Sequence, residues 1–217
     1  MPVTGFVHTP LPAQDPPLTR PLSLYFTQEQ NSTNSPPISI TLLDRLQKRH
    51  QPITTGIYRV DYRLLRSTAP SNGTDGGGNT LPAFLQYLEI PHLSPIPFAL
   101  CGNAIVAIDR DFARIVEARL ATLWMPRLTL RVEGNCYEVD DFRLRVGRVM
   151  GEQVRGVVVE VEYLPVDTMS AGEAVLKDFI EGLQLPFAGK WVLGTEKTKE
   201  WTVLDTGRLY CELLRSR

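Results

Sequence analysis

Glu160 and Glu162 are the side chains of this 217-residue chain best spaced for chemistry. Two glutamates one residue apart on a strand share a face, and carboxylates so placed can hold a divalent cation that polarises a bound substrate. Arg143 and Arg145 stand one strand earlier, where guanidiniums could pair with an anionic group. The alternation around the pair argues the other way. Val157, Val159, Val161 and Tyr163 take the opposite face, and if that face turns to the core the carboxylates turn to solvent. Metal chemistry is therefore the weaker expectation, and a charged outer sheet face the stronger.

No other constellation competes. His8, His50 and His92 fall in three separate loop or edge contexts without Asp or Glu at metal-ligand spacing. Cys101, Cys136 and Cys211 form no Cys-x-x-Cys pair and read as small buried hydrophobes of a reducing compartment. Gly76, Gly77 and Gly78 lack the helix and the Lys or Ser/Thr of a phosphate cradle, and no Gly-x-Ser-x-Gly elbow is present. No catalytic residue, metal or cofactor is expected.

Charge and hydropathy bound the partners. The chain carries 23 basic and 24 acidic residues for a net charge of -1, with the signs interleaved, so it lacks the footprint of a nucleic-acid binder. No run approaches the roughly 20 apolar residues of a membrane helix, and residues 1–12 lack the cationic start and apolar run of a signal peptide. A soluble intracellular protein is expected, which leaves the glycosylation triplets at Asn31 and Asn72 as chance matches.

Alternation also sets the elements that must carry the charged residues. Residues 142–149 and 156–163 pair as a hairpin about a loop at 150–154. Arg143 then faces Glu162, Arg145 faces Glu160, and Phe142, Leu144 and Val146 meet Tyr163, Val161 and Val159. A one-residue slip would exchange the two faces, so the pattern specifies the register. A second hairpin is expected upstream between strands 128–133 and 136–139, where a turn at Gly134-Asn135 sets Arg131 opposite Glu138 and Leu130 opposite Val139. Further strands are expected at 3–8, 56–65, 81–90, 97–100 and 104–108.

Four helices accompany them. The first, ending near His50, has an apolar face of Ile40, Leu42, Leu43 and Leu46. In the second, Asp109 caps a face of Phe112, Ile115, Val116, Leu120, Leu123 and Trp124, and Pro126 ends it. A capping box from Ser170 to Glu173 starts the third, which buries Val175, Leu176, Phe179, Ile180 and Leu183. The last spans 203–214 and is weakened by Gly207. Prolines across 9–37 and glycines across 69–80 mark two long flexible loops. After the first helix the order is four strands then a helix, twice over. Successive strands joined by short turns make an antiparallel sheet, and eight or nine twisted strands curl toward closure. The expected fold class is α+β: a single domain over residues 1–217, with an antiparallel multi-stranded β-barrel of about eight strands flanked by helices.

Taken in order, several short motifs resemble one family. They are Pro97-Phe98-Ala99-Leu100, the helix opening at 109–112, Asp141-Phe142 with Val146-Gly147 and Val149, and Arg155-Gly156 leading into Val159-Glu160-Val161-Glu162-Tyr163. They look like the subunit 20 family of the Mediator complex, the transcriptional coactivator, best over residues 81–165. The resemblance implies a nuclear, non-enzymatic subunit of the Mediator head module, folded as a helix-flanked barrel that pairs with subunit 18. It implies tethering of that pair by the C-terminal segment of subunit 8, and passage of regulatory signals to RNA polymerase II and the basal factors, including the TATA-binding protein. It brings no catalytic residues. The alternative is a metal-dependent polyphosphate hydrolase similar to the triphosphate tunnel metalloenzymes, whose glutamate pair is followed by a lysine; here Leu164 stands in that place. For a partner interface, Arg143, Arg145, Val158, Glu160 and Glu162 form one candidate patch, because Val158 is apolar among outward charges. Trp191 and Trp201 form a second, because large aromatics anchor partners.

Overall fold

The computed structural model describes residues 22–28, 37–68, 83–166, 168–183, 189–193 and 201–215. The strand expected at 3–8 and the loop expected at 69–80 lie outside them. The chain runs through β1 (Leu22–Gln28), α1 (Ile38–Arg49), β2 (Ile53–Ser67), β3 (Phe84–Glu89), β4 (Phe98–Cys101), β5 (Ala104–Ala107) and α2 (Phe112–Arg119). It continues through β6 (Trp124–Val139), β7 (Phe142–Met150), β8 (Val154–Tyr163), α3 (Met169–Gly182), β9 (Lys190–Leu193) and α4 (Val203–Arg215). The strands form one antiparallel sheet in the order β5-β4-β3-β2-β6-β7-β8-β1-β9.

The sheet must curl. Nine strands at a spacing of about 4.8 Å would make a flat sheet roughly 40 Å wide, whereas the 13 residues of α4 make a helix about 20 Å long. Yet α4 touches β4 and β5 at one margin of the sheet and β1 and β9 at the other. The sheet therefore wraps α4, in the α+β barrel-like class expected. Among the described residues β5 and β9 do not pair with each other, so the wrap is an open half-barrel of nine strands.

A helix so enclosed must bury most of its circumference, and on α4 only the stripe of Arg208, Glu212 and Arg215 stays exposed. Val203, Thr206, Gly207, Leu209, Tyr210, Cys211, Leu213 and Leu214 of α4 are all buried. A reciprocal cap opens it: the Thr202 N–H donates to Asp205 Oδ2 at 2.8 Å and the Asp205 N–H donates to Thr202 Oγ1 at 3.4 Å. Gly207, expected as a weakness, is a close approach instead, since a Cβ there would lie 3.1 Å from Ile105 Cδ1 on β5.

The opposite face of β7 and β8 is covered by α1 and α3. Ile38, Leu42 and Leu46 are the buried side of α1, and Ile40 is exposed, which moves that face from the expected set. On α3, Leu176 is buried, as is Leu183 just past its end, Phe179 stacks on Phe142 at 3.8 Å, and Val175 is exposed. The expected capping box at Ser170 does not form; Thr168 precedes the helix and Glu173 pairs with Lys177 at 2.7 Å. On α2, Val116 packs on Leu65, Leu85 and Ala99 in a small second core. That helix ends at Arg119, and Trp124, expected on its face, opens β6 instead.

Two further expectations are overturned. Leu22–Gln28, placed inside a proline-rich loop, is a buried strand between β8 and β9, because Leu22, Leu24, Tyr25 and Phe26 supply apolar side chains to both faces. Gly134-Asn135 is not a turn. β6 passes straight through it, pairing with β2 on one side and β7 on the other, and the hairpin turns at Asp140, which adopts φ 51° as Asp tolerates. Arg131 consequently lies opposite Asp61, and Glu138 opposite Arg143. The second half of the expected repeat therefore has three strands, not four, before its helix.

Candidate functional site

The β7–β8 register is the one that alternation specifies: Arg143 faces Glu162, Arg145 faces Glu160, and Leu144 and Val146 face Val161 and Val159. The direction of the faces is the reverse of that expected. Arg145, Glu160 and Glu162 are 5%, 0% and 6% exposed, so the charged face is the inside of the half-barrel. The valines opposite lie under α1 and α3, which leaves neither face of β8 to solvent.

Inside, both oxygens of Glu160 and the Oε2 of Glu162 are spent. Arg145 binds Glu160 Oε1 through Nη1 and Glu162 Oε2 through Nη2, the latter at 3.0 Å. Arg143 reaches Glu162 Oε2 at 3.5 Å and Glu138 Oε1 at 2.9 Å, closing the network toward the surface. Tyr210, carried in by α4, donates to Glu160 Oε2. Since that donation uses the Tyr210 proton, Tyr58 of β2 is the donor in the 2.6 Å contact between the two phenols. His92 lies against the same oxygen, with Nε2 at 3.7 Å from Glu160 Oε2 and its ring edge-on to Tyr58. That distance is too long for a hydrogen bond, and both ring nitrogens lack a hydrogen-bond partner among the described residues.

The electrostatics follow from burial and the one guanidinium. Burial alone would raise the Glu160 carboxyl, but Arg145, with His92 and Tyr210 adding to it, holds it down to about 2. Burial would lower the Arg145 guanidinium, and Glu160 with Glu162 overrides that and raises it. Burial and the nearby Glu160 push both Tyr58 and Tyr210 well above the usual phenol range, so both remain protonated donors. Glu160 thus has a folded pKa below its unfolded value of 4.5. Its contribution is full above that unfolded value and lost as pH falls toward about 2, by on the order of 3 kcal/mol. Urea midpoints between about pH 5 and pH 2.5 should fall more steeply for the native chain than for Glu160→Gln; parallel profiles would refute this assignment.

Such an arrangement clamps and does not catalyse. The glutamates do face inward as a metal tunnel requires, but Arg145 and Tyr210 occupy their oxygens and α4 fills the interior. No group of three or more His, Cys, Asp or Glu side chains able to hold a metal occurs among the described residues. Val158 is fully buried, so it offers nothing outward among the charges. Of the proposed interface residues, Arg143 and Trp191 are the two that retain some exposure. Trp191 lies on the edge strand β9, its ring 4.5 Å from that of Tyr25. Trp201 is buried and donates to Thr206 at 2.9 Å at the start of α4. The network members missed in the sequence are Tyr58, His92 and Tyr210. Tyr58 was legible, since Tyr58, Val60, Tyr62 and Leu64 alternate inward along β2.

Known proteins show the same kinship along most of the chain. A family model described as TATA-binding related factor (TRF) of subunit 20 of Mediator complex matches residues 21–215. Mediator of RNA polymerase II transcription subunit 20b of Arabidopsis thaliana is 34% identical over 99 residues, a stretch that spans 44% of each chain. Subunit 20 of Rattus norvegicus is 29% identical over 164 residues, covering 73% of this chain and 76% of the rat protein. A chain in the structure of the Schizosaccharomyces pombe Mediator head module aligns at 14% identity with a TM-score of 0.39, over 78% of this chain and 98% of that one.

Proposed function

The chain belongs to the Mediator subunit 20 family, and from that membership we propose that it works in the head module as an adaptor pairing with subunit 18. It is a structural subunit of the RNA polymerase II transcription machinery and not an enzyme. The family match over residues 21–215 carries the reading. The interior agrees with it, because the one carboxylate pair suited to metal chemistry is neutralised by arginines and capped by Tyr210.

In this reading the subunit acts in the nucleus. The C-terminal segment of subunit 8 ties the pair to the rest of the head, and regulatory signals pass through it to RNA polymerase II and the TATA-binding protein. The pairing surface includes the open sheet edge at β9, where Trp191 keeps a partly exposed ring. Co-expression with a subunit 18 from the same source, followed by size-exclusion chromatography with light scattering, should give a one-to-one complex that Trp191→Ala weakens. A monomer indifferent to that partner would overturn the pairing. An undiminished complex with the Trp191 variant would overturn only the assignment of the edge.

A further inference from the structure

Charges that interleave along the sequence are gathered by the fold. A groove of about 730 Å³ opens where residues 61–63 of β2, the first half of β6 and the β7–β8 turn converge. Arg63, Arg127, Arg131 and Arg155 line it, against Asp61 and Glu152. Two of these guanidiniums are committed, Arg63 to Glu117 and Arg131 to Asp61 at 2.7 Å. Arg127 and Arg155 have no carboxylate at ion-pairing distance among the described residues. The turn makes room for Arg155, since a Cβ at Gly151 would lie 3.0 Å from its Nε. Leu128 and Met150 supply apolar wall between the arginines.

We propose that this groove binds an acidic segment of a partner protein in which Asp or Glu alternates with apolar residues. Guanidiniums pair with carboxylates in a fixed, two-pronged geometry, and here two are available without breaking an existing pair. The apolar residues of such a segment would cover Leu128 and Met150, and a groove of this size falls within the roughly 300–1,000 Å³ range of ligand sites. Single-stranded nucleic acid fits less well. Tyr62, the one aromatic side chain at the groove, is fully buried and offers no stacking platform for bases, whereas Leu128 and Met150 suit apolar side chains.

The assignment does not rest on pairing with subunit 18, and its test uses the full chain alone. Fluorescence anisotropy would follow a fluorescein-labelled peptide of alternating Asp and Leu, with an Asp-Ser peptide of equal charge and a single-stranded RNA as competitors. The Asp-Leu peptide should bind saturably and more weakly as salt rises. The double variant Arg127→Ala with Arg155→Ala should weaken it about tenfold or more while circular dichroism and melting stay unchanged. Equal binding by the double variant, absence of saturation, or equally tight binding of the Asp-Ser peptide or the RNA would overturn the proposal.

Discussion

Gly134→Val should leave the protein without a cooperative unfolding transition and largely insoluble. Gly134 stands opposite Gly147 on β7 and Tyr58 on β2, in the middle of the longest strands of the sheet. A Cβ built on Gly134 would overlap the Val146 carbonyl oxygen and come within 2.6 Å of Gly147 Cα, all of it backbone that cannot step aside. On the other strand a Cβ at Gly147 would meet Val132 Cγ1 at 2.6 Å and the Tyr58 ring at 2.8 Å. Two glycines thus let β6 and β7 press together beside Tyr58. Valine at the first of them must part the strands, and overpacking of this kind with backbone displacement belongs to the rare class above about 4 kcal/mol. Gly134→Ala should be almost as harmful. Were Gly134 the tip of a turn, alanine would cost only the strain of a left-handed backbone, about 1–2 kcal/mol, so an alanine variant melting within a few degrees of the native protein would contradict the packing.

Arg145→Met is expected to cost about 3 to 5 kcal/mol in urea titration, the usual penalty for stranding a buried charge. It removes the guanidinium partner of Glu160 and one of the two guanidinium partners of Glu162, both glutamates being buried. Adding Glu160→Gln should return part of the loss, because an amide can still accept from Tyr210 without carrying charge. The coupling in that cycle should exceed about 1 kcal/mol. A cross-strand pair on a solvated face would give about 0.5 to 1 kcal/mol for the single change. The two magnitudes therefore tell an internal clamp from an outer decoration, and a loss below about 1 kcal/mol would mean that water reaches these charges.

That distinction marks what alternation can and cannot specify. A period of two divides β7 and β8 into a charged and an apolar face and settles which residues pair, and the pairs found are those expected. It carries no information about which face is inside when both are buried, as on β8, where α1 and α3 cover the valines and Tyr210 of α4 caps Glu160. Charges are admissible inside because Arg145, Arg143 and Tyr210 satisfy them, and those partners come from a neighbouring strand and a helix 50 residues further on in the chain. The misplaced turn has a similar origin. Glycine followed by asparagine favours a tight turn, but glycine also serves where two backbones touch, and only the neighbouring strand decides between these uses. The strand β1 was hidden by the prolines around it, although Leu22 to Thr27 itself contains no proline and suits a sheet.

The position of α4 has a consequence for how the protein is made. All nine strands precede it in the chain, yet it fills their interior and Tyr210 is the residue that caps Glu160. A chain made only as far as residue 202 therefore has its whole sheet and an interior still unfilled. Until α4 follows, the apolar lining and the open edges at β5 and β9 stand exposed, the kind of surface that chaperones hold and that aggregates without them. A chain truncated just before Val203 would display that state, and restoring α4 would end it.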